Sequence, residues 1–477
     1  NTLTAITGGV YNVAVSATDA VGNVGNDATT NELTIDLTAP TVTITNKTTN
    51  DATPSLSGTV NDNSATISVT VDGQTVSATN NGDGTWTLAD NTLTALANGV
   101  YNVAVSATDL ATNIGNDATT NELTIDIIAP TVTIANKTTN DATPSLAGTV
   151  NDNTATISLT VDGQTVAATN NGDGTWTLAD NTLTAITGGV YNIAVSATDA
   201  VGNIGNDATT NELTIDLTAP IVTISNKTTN DATPSLAGTV NDNTATISVT
   251  VDGQTVAATN NGDGTWTLAD NTLTAITGGV YNVAVSATDA VGNVGNDATT
   301  NELTIDLTAP TVTITNKTTN DATPSLSGTV NDNSATISVT VDGQTVSATN
   351  NGDGTWTLAD NTLTALANGV YNVAVSATDL ATNIGNDATT NELTIDIIAP
   401  TVTIANKTTN DATPSLAGTV NDNTATISLT VDGQTVAATN NGDGTWTLAD
   451  NTLTAIAGGI YNVAVSATDA VGNVGND

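Results

Sequence analysis

The chain contains no histidine, cysteine, methionine or phenylalanine, and all five of its basic residues are lysine. Without histidine and cysteine it lacks the usual general base, the thiolate nucleophile, the disulfide staple and every soft-ligand zinc or iron site. Only oxygen donors remain for a metal. Against the five lysines stand 47 acidic residues, for a net charge of -42. That balance excludes nucleic acid and anionic membrane as natural partners and favours cations. No apolar run approaches the roughly 20 residues of a membrane span, so membrane insertion is not expected. The chain opens in mid-domain without a signal-like start.

Large apolar residues are also scarce. Between Ala39 and Ile128, Leu, Ile and Val fill 20 of 90 positions, only slightly above the level of about one-fifth at which disorder becomes the better reading. Pattern decides for order. The apolar residues alternate with polar ones, and Gly, Asn and Asp cluster between the runs, which is the signature of short β-strands and turns.

The organising stretch is Asn31-Glu32-Leu33-Thr34-Ile35-Asp36-Leu37-Thr38-Ala39-Pro40-Thr41-Val42-Thr43-Ile44. It reads as the last strand of one domain running into the first strand of the next, with Pro40 holding the connection extended. The same joint recurs at Pro130, Pro220, Pro310 and Pro400, a spacing of 90 residues. Complete units are therefore expected at 39–128, 129–218, 219–308 and 309–398. Residues 1–38 hold only the last strands of a unit, and 399–477 hold a unit lacking its final strand. Both end pieces are expected to expose unpaired strand edges. Residues 1–180 recur without change at 271–450, as expected of an array that gains units by duplication.

Within one unit, strands are expected at Thr41–Ile44, Pro54–Val60, Ile67–Val71, Gln74–Ala78, Thr85–Leu88, Tyr101–Ala107 and Glu122–Asp126. Asp72-Gly73 marks a type I′ hairpin turn. Residues 45–53 read as a polar loop carrying a solvated Lys47, and about ten residues through Asn113 and Asp117 read as another loop. Trp86 points inward with Leu88 as the core anchor. Tyr101 stands at a corner, where it is expected to bond back to the preceding loop. Seven short strands with no helical period argue for an all-β tandem array of seven-stranded, Ig-like Greek-key sandwiches.

The succession Pro54-Ser55-Leu56-Ser57-Gly58-Thr59-Val60, Asp83-Gly84-Thr85-Trp86-Thr87-Leu88, Gly99-Val100-Tyr101-Asn102-Val103 and Ala107-Thr108-Asp109 resembles the bacterial immunoglobulin-like repeats of giant surface adhesins and biofilm-associated proteins. The resemblance covers the whole chain. It implies an extracellular stalk at the bacterial surface or secreted, commonly stiffened by calcium between domains, with the adhesive target bound by other regions. The family's Asp-x-x-Gly-Asn loop stands here as Asp19-Ala20-Val21-Gly22-Asn23 but also as Asp109-Leu110-Ala111-Thr112-Asn113, so the two loops need not share one conformation.

The acidic residues are the one constellation able to carry chemistry. If strands alternate up and down, the loops after the second, fourth and sixth strands share a pole with the incoming linker, bringing Asp62, Asp83 and Asp109 near Asp36. Calcium takes six to eight oxygens at about 2.3 to 2.6 Å. The expected set at the first joint is Asp36, Asp62 and Asp109, with Asn113 and Asp117 as weaker candidates. The corresponding sets are Asp126, Asp152 and Asp199; Asp216, Asp242 and Asp289; Asp306, Asp332 and Asp379; and Asp396, Asp422 and Asp469. The plainer reading is that these carboxylates cap turns and keep the surface soluble. Paired carboxylates could also serve a glycosidase, but a cleft repeated every 90 residues without sugar platforms argues against an enzyme. The rival function is a repeated module gripping glycan, ice or a receptor through exposed Thr and Asn rows.

Overall fold

The computed structural model describes residues 4–477. Two compact units divide it, one running to Thr218 with Val291–Asn293 added, the other comprising Ala219–Ala290 and Val294–Asp477. Among the described residues, five separate apolar cores lie along the chain. They span Val42 to Ile125, Val132 to Ile215, Val222 to Ile305, Val312 to Ile395 and Val402 to Ala467. Among the described residues no helix is long and apolar enough to cross a membrane.

Each core is wrapped by β-structure alone, and the repeat with Trp176 shows how. Its main sheet runs, edge to edge, through Val132–Ile134, Leu146–Val150, Thr175–Leu178, Gln164–Asn170, Thr156–Val161, Ala194–Thr198 and Ile204–Asn206. The seven-residue strand Gln164–Asn170 makes this possible, since Gln164 to Ala168 pair with Thr156–Val161, and Thr169 and Asn170 with Thr175–Leu178. One sheet thereby curls around both sides of the core. A second sheet of three strands closes the barrel-like sandwich, with Leu213–Ile215 parallel to Lys137–Thr139 and antiparallel to Gly189–Tyr191. Leu213 and Ile215 face inward with Val132, Leu159 and Ile186. Along the strands burial alternates residue by residue, because successive side chains point to opposite faces.

Two stretches expected as loops contain strands. Lys47–Thr49 lies in residues 45–53 and pairs with Leu123–Ile125, and Ile114–Asn116 pairs with Ser106–Thr108. The first carries no large apolar residue, so no alternation could reveal it. Nor is Lys47 merely solvated: its ammonium donates to the Ser55 carbonyl and hydroxyl at 2.9 and 3.1 Å. The sixth strand is also broken. Gly189–Tyr191 serves one sheet and Ala194–Thr198 the other, and the Tyr191 hydroxyl donates back to the Thr187 carbonyl at 2.9 Å across the corner. The hairpin turn is of the expected kind, with Asp162 and Gly163 at φ 48° and 75°.

The tryptophan anchors the opening strand as well as the core. Trp176 is fully buried, and its indole N–H donates to the Thr133 carbonyl at 2.9 Å. This close approach needs a glycine between them, because a Cβ on Gly148 would stand 1.9 Å from the Thr133 oxygen and 2.7 Å from the indole nitrogen. Gly148→Ala is therefore expected to destabilise its repeat by about 3 kcal/mol. Gly163→Ala, which meets nothing within 4 Å and only suffers the φ of 75°, should cost about 1 kcal/mol. Urea unfolding followed by tryptophan fluorescence checks the order, and G148A costing no more than G163A would refute the steric argument.

Candidate functional site: the joint between repeats

A linker leaving a sandwich carries backbone groups that no sheet satisfies, so their partners define the joint. At the joint before Pro130, the Asp126 N–H donates to the Thr49 carbonyl at 2.9 Å and the Ile127 N–H to Asn98 Oδ1 at 3.0 Å. These bonds tie the linker to the repeat it leaves. The Ile128 N–H turns back to the Asp126 carboxylate at 3.2 Å, and the Thr131 N–H donates to Asn151 Oδ1 at 2.7 Å in the repeat it enters. Asn203 joins the two repeats directly, since its side-chain amide donates to the Asp126 carbonyl at 2.8 Å. Two residues later in chain order comes a second close approach. A Cβ on Gly205 would stand 1.6 Å from the Pro130 carbonyl oxygen, so only glycine lets the linker lie against the strand Ile204–Asn206.

Asp199 holds Asn203 in place. Its Oδ2 accepts from the Asn203 side chain at 2.7 Å, while Oδ1 accepts from the N–H groups of Val201, Gly202 and Asn203. Burial works against ionisation, but the side chain and N–H of Asn203, with Val201 and Gly202, outweigh it and hold the carboxyl below the ordinary 3.8. Asp469 is lowered by the same balance. The bond from this loop to the preceding strand recurs as Asn113 to Asp36, Asn383 to Asp306 and Asn473 to Asp396, at 3.0, 2.8 and 2.8 Å. In the second unit the Asn230 N–H adds a backbone bond to the Ala381 carbonyl at 3.1 Å.

Of the expected acidic sets, the structure thus brings Asp36 to Asp109 and Asp126 to Asp199 through the intervening asparagine, using the carbonyl of the first residue. Asp306 meets Asp379, and Asp396 meets Asp469, in the same way. Asp62, Asp152, Asp242, Asp332 and Asp422 instead close their own turns onto the hydroxyl and N–H two residues on. Their neighbours Asn61 and Asn151 are what reach the linker. Asp216 binds the Thr218 N–H, Asp83 closes its turn onto Thr85, and Asp117 closes onto Thr119. Among the described residues no three acidic side chains gather as a metal ion would require.

Sequence reasoning passed over two groups. Glu122, Glu212, Glu302 and Glu392 are buried, each with one carboxylate oxygen that has no hydrogen-bond partner. The other oxygen of Glu212 accepts from the Ile193 N–H at 3.0 Å, where the chain passes from one sheet to the other and that N–H would be stranded. Asp141 was also missed. The Thr143 N–H chiefly, with the neighbouring Asp180 carboxyl and the Lys137 charge, keeps its carboxyl low. The signal for the joint itself was the fixed Asp-x-x-x-Asn spacing.

The two loop forms prove alike in backbone. Thr112 and Thr382 adopt φ 69° and 72°, and Gly22, Gly202 and Gly472 adopt 97°. A β-branched residue is strained there, so Thr112→Gly is expected to stabilise its repeat by about 1 kcal/mol, measurable by calorimetry. A lower melting temperature would contradict it. For pH, the carboxyls of Asp173, Asp199, Asp263 and Asp469 are depressed in the folded state. Their stabilisation is complete above the ordinary 3.8 and is lost as pH falls through the lower folded values. Melting should hold steady from neutral pH to about 4.5 and then fall. A steady decline between neutrality and that point would show that other groups control stability.

A family model described as a bacterial Ig-like domain matches residues 40–127, 131–217, 222–307, 310–397 and 401–477. No curated protein matches the chain. Among solved structures, a tetra-tandem repeat in the extending region of a large adhesion protein is similar at 26% identity, over 76% of this chain and 100% of that one, with a TM-score of 0.34. A Ca2+-stabilized adhesin that helps an Antarctic bacterium reach out and bind ice is 21% identical, over 75% and 99%, with a TM-score of 0.34. A 1.5-MDa bacterial ice-binding adhesin is 20% identical, over 56% and 99%, with a TM-score of 0.31. With the family model repeated five times along nearly its whole length, the chain belongs to the bacterial Ig-like domain family.

Proposed function

We propose that this chain is an extender: a stalk segment of a bacterial surface adhesin, lying outside the cell and supporting adhesion and biofilm formation while other regions bind the target. The unit bounds in this reading are 39–128, 129–218, 219–308 and 309–398, with partial units at 1–38 and 399–477. The observation that carries it is the joint. The linker from Asp126 to Thr131 is bonded to the repeats on both sides, which suits the transmission of reach better than free hinging. The tryptophans are buried, so the rival glycan-gripping module loses its best candidate residue.

Calcium belongs to the proposal as an addition to that joint. The excess of acid over base and the oxygen-only donors suit a hard cation, but Asp199 already accepts four N–H bonds and Asp152 is engaged in its own turn. The three carboxylates as arranged do not form a ligand shell. Asp126 and Asp152, both half-buried, are the groups at this joint that would take the ion, with Asp152 leaving its turn to do so.

Small-angle scattering of the chain in millimolar calcium and in chelator tests both layers. The expected result is a longer, stiffer particle in calcium, and a more flexible one in either buffer for Asn203→Ala with Asn383→Ala, with tryptophan emission unchanged. Identical wild-type curves in the two buffers would remove calcium from the proposal. An alanine double variant that scatters like the wild type would remove the asparagine-pinned joint.

A further inference from the structure

We propose that Asn46, Asn136, Asn226, Asn316 and Asn406 are acceptors of an N-linked sugar, one in each repeat. Asn-Lys-Thr stands at these five positions, 90 residues apart, and is the sole Asn-x-Thr or Asn-x-Ser in the sequence. That spacing, with no proline between, is the acceptor signature for transfer of a sugar to asparagine. In a chain so rich in threonine the signature alone decides little, and the structure supplies the rest. Of the eleven asparagines in residues 129–218 only Asn136 carries it. Asn151, Asn170, Asn171, Asn181, Asn192 and Asn203 spend their side chains on turns and on the linker. No side-chain hydrogen bond joins Asn136 or Thr138 to any described residue.

Backbone geometry explains why this asparagine is free. Val132–Ile134 belongs to the main sheet and Lys137–Thr139 to the second, so Ala135 and Asn136 span the switch between them. The Ala135 N–H still reaches the Ala147 carbonyl and the Lys137 N–H the Glu212 carbonyl, with Asn136 between these two bonds. Alternation sends Lys137 back to the Ser145 carbonyl and hydroxyl at 2.8 and 3.0 Å and leaves Asn136 and Thr138 together on the outer face, both exposed. The corresponding pair is exposed in all five repeats. Beside Asn46 a groove of about 340 Å³ is lined by Ser55, Ser57 and Thr87 among others, hydroxyl-bearing residues suited to a first sugar ring. The reaction is a substitution. The carboxamide nitrogen bonds the anomeric carbon of a phosphate-activated sugar, the anomeric carbon–oxygen bond breaks, the phosphate-bearing group leaves with that electron pair, and one amide proton passes to solvent. Asn181, held through both its nitrogen and its oxygen, is closed to this chemistry, whereas Asn136 is open to it.

Peptide mass spectrometry of the full chain isolated from the cells that produce it tests the proposal. Sugar mass is expected on all five Asn-Lys-Thr sites, added as single residues if the donor is a sugar nucleotide and as one preassembled block if it is a lipid-linked pyrophosphate. Thr138→Ala should empty Asn136 and Thr138→Ser should keep it occupied, while Asn226 in the same molecule stays occupied in both and tryptophan emission is unchanged. Asn153 is the internal control. It is exposed and without a side-chain partner, but has alanine two residues on, and should remain bare. Five unmodified Asn-Lys-Thr sites, sugar on Asn136 that survives Thr138→Ala, or equal occupancy of Asn153 would each overturn it.

Discussion

The hydrogen bond from the tryptophan indole to a threonine carbonyl on the opening strand is the constraint on which each repeat depends. Aromatic residues make up 2% of the chain, so each core has one large side chain to organise it. Trp176 fixes two things at once, the centre of the core and the position of Thr133. Thr133 lies three residues after Pro130, so the strand that the indole holds is the same strand that receives the linker. Bare glycine surface admits the opening strand at Gly148 and the Pro130 carbonyl at Gly205. Core packing and linker placement are therefore one arrangement, and a change at Gly148 reaches the joint through the strand between them.

The joint also shows what a chain with 47 acids and five lysines does with its excess of carboxylates. Its carboxylates are used as hydrogen-bond acceptors. Asp152, Asp173 and Asp207 each take an N–H and a hydroxyl two residues on, and Asp199 takes four N–H bonds from its own loop. A carboxylate bonded to several N–H groups is stabilised in its charged form, so negative charge organises turns that would otherwise hold unpaired donors. The remaining self-repulsion is spread over the surface and screened within about 8 Å at physiological salt.

Much of this was legible in the sequence because the core-facing strands alternate. Leu56, Ile67, Val69, Val71, Trp86, Val103 and Val105 declare their strands by period, and Asp72-Gly73 declares its turn. The strand Lys47–Thr49 was hidden since its residues are half-exposed and polar, and Ile114–Asn116 since a glycine at its centre packs against a carbonyl rather than presenting a side chain. At the joint, reasoning from charge selected the aspartates as a group. It grouped Asp109 with Asp36 and Asp62, and Asp199 with Asp126 and Asp152, and did not show that the contact to the linker carbonyl runs through Asn113 and Asn203, because a side-chain amide passing between a carboxylate and a distant carbonyl leaves no trace in composition. Glu212 was hidden for the opposite reason: a polar residue between Asn211 and Leu213 looks like the solvent face of a strand.

Near-identity of successive repeats creates a hazard of strand exchange, and the fold answers it locally. Within a filled repeat, Leu213–Ile215 is paired on both edges, its two apolar side chains are buried, and Glu212 caps the Ile193 N–H. Releasing it would open the second sheet, expose the core and strand that N–H together, so the identical strand of a neighbour has no partial opening through which to enter. The linker reinforces this, because Asn203 holds the Asp126 carbonyl immediately after the preceding final strand. Repetition is therefore tolerable only while every Leu-Thr-Ile strand is seated.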